Sequence, residues 1–243
     1  AAGEVIQRPC NAVKEMIENS LDAGATSISV TSKNGGLSFL QIQDNGHGIR
    51  REDLGIVCER FTTSKISNFE DLKSISTFGF RGEALASITH VANVTLVTKT
   101  KDSPCAYKAK FCDGSIVAHR AGEKAEAKPC AGVIGTIITV EDLFHNMTSR
   151  KNAYRGGSEE YNRILAVITQ YAIHYGDKHI SFTSKKHGHS SPDFHTPSKS
   201  STLENIKIAY GKNVSDELLS IGSSHAPTTP GNAASESSNI LGE

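Results

Sequence analysis

Residues 15–23 read Glu-Met-Ile-Glu-Asn-Ser-Leu-Asp-Ala. On a helix, at about 100° per residue, Glu15, Asn19 and Asp22 fall within roughly 60° of one another. A carboxylate and a carboxamide one turn apart can share one small site. Glu15 can hold a water and take its proton. Asn19 can give its carbonyl oxygen to Mg²⁺, a hard cation that accepts oxygen ligands and keeps some of its water. The plainer reading of the same residues is the solvated face of an amphipathic helix, since Val13, Met16, Ile17 and Leu21 form an apolar stripe opposite them. Pro9 sits where that helix begins, because its missing N–H costs nothing in a first turn.

Two further stretches carry residue types suited to nucleotide chemistry. Residues 38–43 read as a strand that runs into Asp44-Asn-Gly-His-Gly48. Glycines at 46 and 48 allow positive φ and close backbone approach to a ligand. Asp44 at the strand's end is placed to accept a hydrogen bond from an amino group such as that of adenine. Further on, Gly79-Phe-Arg-Gly-Glu-Ala-Leu85 opens a helix with two glycines, a pattern that suits phosphate because free N–H groups and the helix dipole both face the anion. Each stretch alone is a weak signal; their order and spacing together are a strong one.

On these residues the chain resembles the N-terminal ATPase of the MutL mismatch-repair proteins, within the superfamily that includes gyrase B, Hsp90 and the histidine kinases. The matching segments are 15–23, 44–48, Phe61-Thr-Thr-Ser-Lys65, 79–85 and Gly135-Thr136. The phrases at 2–9, 57–65 and 140–144 resemble the eukaryotic branch that supplies the common subunit of MutL heterodimers. The resemblance is near continuous over residues 1–176 and weaker to about 222. It implies Mg-dependent, slow ATP hydrolysis, with Glu15 as the base and Asn19 on the metal. It places Asn19, Asp22, Ala23, Asp44, Gly46, Gly48, Thr63, Ser64, Lys65, Gly79, Phe80, Arg81, Gly82, Leu85 and Thr136 around ATP. Residues 62–82 are then a lid over the nucleotide, and Thr136 supports the adenine site beside Asp44. Thr136 also suits an ordinary β-branched strand position, and Phe80 and Arg81 also suit packing within the protein. The implied partners are a second MutL-family subunit, MutS-type mismatch-recognition proteins and double-stranded DNA held weakly and without sequence preference, clamp-like, in the nucleus. The same resemblance leaves two other classes open, an Hsp90-like chaperone ATPase and a non-catalytic binding module; nucleotide titration separates the last from the others. A P-loop is excluded, because no Gly-x-x-x-x-Gly-Lys-Ser/Thr run occurs.

The elements that must position these residues follow from periodicity. A hairpin is expected from 26–31 and 38–43 about the turn at Asn34-Gly-Gly36. Residues 49–59 carry Leu54, Val57 and Cys58 at helical spacing, and Ser67-Asn-Phe-Glu70 fits a capping box for a short helix to Ile75. Strands are expected at 93–98, 106–111, 115–118, 136–140 and 180–185, with Asp113-Gly114 as a turn. Residues 119–132 read as an exposed loop, and 159–175 as a helix with Ile164, Leu165, Ile168, Tyr171 and Ala172 on one stripe. Arg150, Lys151 and Arg155 suit either a solvated basic loop or phosphate contacts to DNA. The fold implied is a two-layer α/β sandwich, one mixed and mostly antiparallel sheet with helices on one face (a Bergerat-type ATP-binding fold), followed by an incomplete second domain. Residues 1–186 would be the ATP-binding domain and 187–200 a linker, whose His187, His189 and His195 lack the matching Cys or acid cluster that a metal site would need. Residues 201–222 would start a truncated transducer domain, and 223–243 form a low-complexity tail. A missing leading segment and a missing second-domain lysine would leave turnover weak.

Composition narrows the classes. With 26 basic and 26 acidic residues, no global charge draws the chain to nucleic acid, so a DNA contact must come from local patches. The five cysteines have no metal-ligand spacing and suit free thiols in a reducing compartment. No run of 18 apolar residues or signal peptide is visible.

Overall fold

The computed structural model describes residues 6–60, 78, 83–154 and 156–219. Its strands are β1 (Ser27–Lys33), β2 (Phe39–Asp44), β3 (Asn93–Lys99), β4 (Ala106–Cys112), β5 (Ser115–Val117), β6 (Lys128–Cys130), β7 (Gly135–Glu141), β8 (Ser181–Lys186) and β9 (Phe194–Thr196). The helices are α1 (Pro9–Asp22), α2 (Ala84–Thr89), α3 (Thr148–Asn152), α4 (Gly157–His174), α5 (Thr202–Tyr210) and α6 (Lys212–Asp216). The described strands form one sheet in the order β5-β4-β3-β7-β2-β1-β8-β9, with β6 paired to β4. Only β1 and β8 pair in parallel among these strands; the other pairs are antiparallel. The mixed, mostly antiparallel sheet expected of the implied fold is therefore present.

Strand parity builds the core. Successive side chains alternate between faces, and the register stacks like faces across β1, β2, β7 and β3. One row is Ser32, Leu40, Val140 and Val94, and the next is Val30, Ile42, Ile138 and Leu96. All of these are buried. Helices α1 and α4 pack against each other, α1 also touching β1 and β2 and α4 touching β8. Val13, Met16 and Ile17 of α1 and Ile164, Ile168 and Ala172 of α4 join the same core. Each fully buried Leu, Ile or Met contributes about 1.5–3 kcal/mol over its exposed state. The third row of the same face is Ile28, Asp44, Thr136 and Thr98. The apolar floor thus turns polar at one end, and parity alone aims those groups toward the helices.

The β1–β2 connection is a short 3-10 turn, Asn34–Gly36. Gly35 and Gly36 both have positive φ, and a Cβ on Gly35 would lie 2.5 Å from the Gly157 carbonyl oxygen. The turn is therefore pressed against the start of α4, where only glycine fits.

Four local expectations are corrected. Residues 49–59 form a 3-10 segment, Arg51–Gly55, followed by turns, because Leu54 and Cys58 can reach the core without a full helix across Gly55. The 119–132 loop contains β6, which borrows its pattern from β4. The basic stretch 146–155 includes α3, and Arg150 Nη1 donates to the Ile6 carbonyl at 3.3 Å. The expected linker 187–200 contributes β9, paired to β8 through Phe182↔Thr196 and Ser184↔Phe194, with Phe194 and Thr196 buried. Helix α5 begins with the expected capping box at Ser201 and Glu204 and docks on α4 through Asn205 Nδ2, 2.8 Å from the Ala172 carbonyl. The short helix expected at 67–75 lies outside the described residues.

Candidate functional site

Helix α1 and the end of β2 meet at Asp44. Ser20 continues the Met16 stripe one turn on, so a hydroxyl replaces an apolar group where the helix crosses the polar row. Ser20 Oγ lies 2.9 Å from Asp44 Oδ2. Asp44 Oδ1 accepts two backbone N–H groups, from Gly46 at 2.9 Å and Thr136 at 3.2 Å. A carboxylate oxygen offers about two lone-pair sites. Oδ1 is therefore saturated by the protein, and Oδ2 keeps one acceptor position. Asp44 is only 6% exposed. Burial raises its pKa above the ordinary carboxylate value, while the bonds from Gly46, Ser20 and Thr136 pull it down.

Thr98 and Thr136 stand side by side next to this carboxylate, their hydroxyl oxygens 3.1 Å apart. Thr98 Oγ1 also accepts from the Ile49 N–H at 2.8 Å and lies 3.1 Å from the Gly135 carbonyl. It ties the 45–49 loop to β3 and β7. The glycines of that loop serve this packing. A Cβ on Gly46 would sit 2.8 Å from the Cβ of Ala23, and one on Gly48 (φ +76°) 2.3 Å from the Lys99 carbonyl oxygen. The His47 N–H donates to the Ala23 carbonyl at 3.0 Å. The close approach that these glycines permit is thus to the protein's own chain, at the end of α1 for Gly46 and at the end of β3 for Gly48. Asn45 anchors the loop from the other side, its Oδ1 accepting from the N–H groups of Thr26 and Ser27 at 2.8 and 2.9 Å.

Glu15, Asn19 and Asp22 lie along one side of α1, all part-exposed. Lys14 Nζ lies 3.6 Å from Glu15 Oε1. Asp22 Oδ1 accepts the Phe78 N–H at 3.0 Å, and the Phe78 ring lies 6.3 Å from those of Tyr171 and Tyr175. Leu85 sits half-buried in α2 against the core. Thr63, Ser64, Lys65, Gly79, Phe80, Arg81 and Gly82 lie outside the described residues. Among the described residues no group of three or more His, Cys, Asp or Glu can hold a metal ion. The donor set does suit Mg²⁺, because that ion takes one or two protein oxygens and completes its shell with phosphate and water. Asn19 would supply such an oxygen on the same side of α1 as Glu15.

Ser20, Asn45 and Thr98 were not singled out from the sequence. Ser20 carried a signal, a polar residue at a position where the apolar stripe of α1 continues. Thr98 carried one only through its register opposite Thr136. All five cysteines are free thiols, and among the described residues no helix is long and apolar enough to cross a membrane.

Residues 7–131 match the family of histidine kinase-, DNA gyrase B-, and HSP90-like ATPases. The chain belongs to this ATPase family. Within it, the chain is 54% identical over 221 residues to the DNA mismatch repair protein Mlh1 of Dictyostelium discoideum, covering 90% of this chain and 25% of that protein. It is 52% identical over 218 residues to the putative MutL protein homolog 1 of Schizosaccharomyces pombe, covering 90% of this chain and 32% of that protein. The chain thus spans a quarter to a third of these relatives' length. Its fold is similar to that of the Aquifex aeolicus MutL ATPase domain complexed with ADP, with a TM-score of 0.64 and 25% identity, covering 85% of this chain and 70% of that one. The family match ends at 131, so β7 lies beyond it. The ATPase fold nonetheless brings Thr136 of β7 to Asp44.

Proposed function

We propose that this chain is the ATP-binding and hydrolysing part of a MutL-type DNA mismatch-repair protein. The observation that supports this most directly is Asp44: a buried carboxylate, held by two backbone N–H groups and one hydroxyl, with one acceptor position left for an amino group. Adenine offers that donor, whereas guanine presents an acceptor at the same place. Glu15, about one and a half turns before Ser20 on α1, takes the proton of the attacking water. Asn19 would give its carbonyl oxygen to Mg²⁺, which when bound would neutralise charge on the phosphates. Catalysis of this kind is chiefly positioning and charge stabilisation, with a metal ion neutralising developing charge, so turnover is expected to require Mg²⁺.

The mismatch-repair role is supported by the similarity to the Dictyostelium and Schizosaccharomyces proteins. We place the whole protein in the nucleus, paired with a second MutL-family subunit, acting with MutS-type recognition proteins on double-stranded DNA. ATP binding would drive association of the N-terminal parts around DNA, and hydrolysis would release it. Residues 201–222 would be the entry to the transducer domain; of these, α5 docks on α4.

Calorimetric titration of the purified chain tests the nucleotide reading. ATP and ADP are expected to bind, more tightly with Mg²⁺, and GTP to compete poorly. Equal affinity for GTP and ATP would remove Asp44 from base recognition, and no binding of either would leave a non-catalytic module.

A further inference from the structure

Two buried hydroxyls stand beside Asp44, and their protons are not free to point anywhere. Thr98 Oγ1 has three polar neighbours. The Ile49 N–H donates to it at 2.8 Å, the Gly135 carbonyl oxygen lies at 3.1 Å and Thr136 Oγ1 at 3.1 Å. Thr98 is 1% exposed, so bulk water does not substitute for any of them. Among the described residues Thr136 Oγ1 has one polar neighbour, Thr98 Oγ1. The Thr136 backbone N–H is bound to Asp44 Oδ1, which keeps its hydroxyl next to the carboxylate that reads the base.

A hydroxyl has one proton to give and two lone pairs that can receive. The Ile49 N–H fills one lone pair of Thr98. The Gly135 carbonyl can only accept, so the Thr98 proton belongs on it. Turned toward Thr136, that proton would leave two oxygens facing each other across 3.1 Å with no hydrogen between them. The second lone pair of Thr98 then receives the Thr136 proton. In this arrangement all three contacts are hydrogen bonds; in the alternative only two are. Thr98 is thereby saturated and takes up the one proton of Thr136, which is left with its lone pairs alone.

We propose that Thr98 is a positioning residue that fixes the polarity of Thr136: it holds that hydroxyl as an acceptor, so that the base meets two acceptors, Asp44 Oδ2 and Thr136 Oγ1. An amino group at the purine 6-position carries two N–H donors and suits this pair. A 6-oxo group offers only lone pairs and is opposed by both, leaving buried polar atoms unpaired. A threonine free to rotate would discriminate less, because its proton could turn to the 6-oxo group. The proposal rests on the reading of Asp44 as the residue that recognises the base.

Calorimetric titrations with ATP and with inosine triphosphate, which carries a 6-oxo group in place of the amino group, test it. The wild-type chain is expected to prefer ATP. Thr98→Val keeps the shape but removes the hydroxyl and frees the Thr136 proton, and the preference is expected to fall by about 2–10-fold, the worth of one neutral hydrogen bond. Thr98→Ser keeps the hydroxyl and should keep the preference. Thr136→Val leaves Thr98 its bonds to Ile49 and Gly135, so it reads the polarity even if Thr98→Val does not fold. Losing an acceptor there lowers the preference for ATP, whereas losing a donor would raise it. In the Thr136→Val background, Thr98→Val should change the preference no further. A wild-type preference for ATP that Thr98→Val leaves intact, with both nucleotides weakened equally, would show a structural role only and overturn the positioning role alone. A raised preference in Thr136→Val, or a further change in the double variant, would do the same. Equal wild-type affinity for the two nucleotides would overturn the reading of Asp44, and the proposal with it.

Discussion

The C-terminal end of α1 and its middle turns are built on different principles. At the end, Ser20 and Ala23 meet the Asp44 loop, and buried Asp44 is held by backbone N–H donors from two separate places in the chain and lies beside the Ser20 hydroxyl. In the middle, Glu15 sits part-exposed on the helix surface, with the Lys14 ammonium 3.6 Å from its Oε1. Backbone bonds between packed strands are preorganised and shielded from salt. Pairs between long, part-exposed side chains are screened by salt and respond to pH. Recognition is therefore expected to be rigid and hydrolysis tunable, although one helix carries both.

Substitutions at the two ends should separate the functions. The largest effect is expected from Glu15→Ala, which should lower turnover by about 10²–10⁴-fold, the usual worth of general base catalysis, with ATP affinity unchanged in calorimetry. Turnover that persists in this variant would erase the distinction between the two ends. Next comes Asp44→Asn. The N–H groups of Gly46 and Thr136 demand an acceptor at Oδ1, so the amide must place its NH₂ where Oδ2 stood. It would then present a donor to the adenine amino group, and affinity should fall by about 1–3 kcal/mol; equal affinity would mean that the free acceptor position is not the one used.

Two smaller effects sharpen the same contrast. Asn19→Ala should weaken ATP binding more with Mg²⁺ than without it, because a lost metal ligand is felt only when the ion is there. An identical loss in both titrations would make Asn19 part of the rigid end. Ser20→Ala removes one neutral donor from Asp44 and should cost about 0.5–1.5 kcal/mol in ATP affinity, with kcat at saturation unchanged. A fall in kcat without a change in affinity would place Ser20 on the hydrolytic side instead.

Much of this arrangement is legible in local pattern. The stripe of Val13, Met16 and Ile17 marks α1 and leaves Glu15, Asn19 and Asp22 on the side away from it. The period of two locates β1–β4, β7 and β8 to within one or two residues. The failures are equally physical. β6 is a Lys-Pro-Cys triplet, and its Pro129 argues against a strand unless the segment lies at an edge; only β4 makes it one. β9 lies in a Ser-, His- and Pro-rich stretch, and Phe194 and Thr196 are buried there because β8 offers an unpaired edge. Leu54, Val57 and Cys58 repeat at helical spacing, yet burying Leu54 and Cys58 required no more than a 3-10 segment and turns.

What the sequence by itself determined is which chemical groups exist and which local element carries each: a carboxylate and a carboxamide one turn apart on α1, an aspartate at the end of β2, glycines just after it. The tertiary structure decided which of them meet. The Thr136 N–H reaches Asp44 from 92 residues away, and the Tyr171 hydroxyl reaches Glu18 from 153. Thr98 gains its role only because β3 and β7 pair with Thr98 opposite Thr136. A slip of one residue in that register would turn Thr98 to the other face of the sheet. Local periodicity sets the face of each residue within its own strand, but the alignment between strands is fixed by the packing of the whole apolar floor.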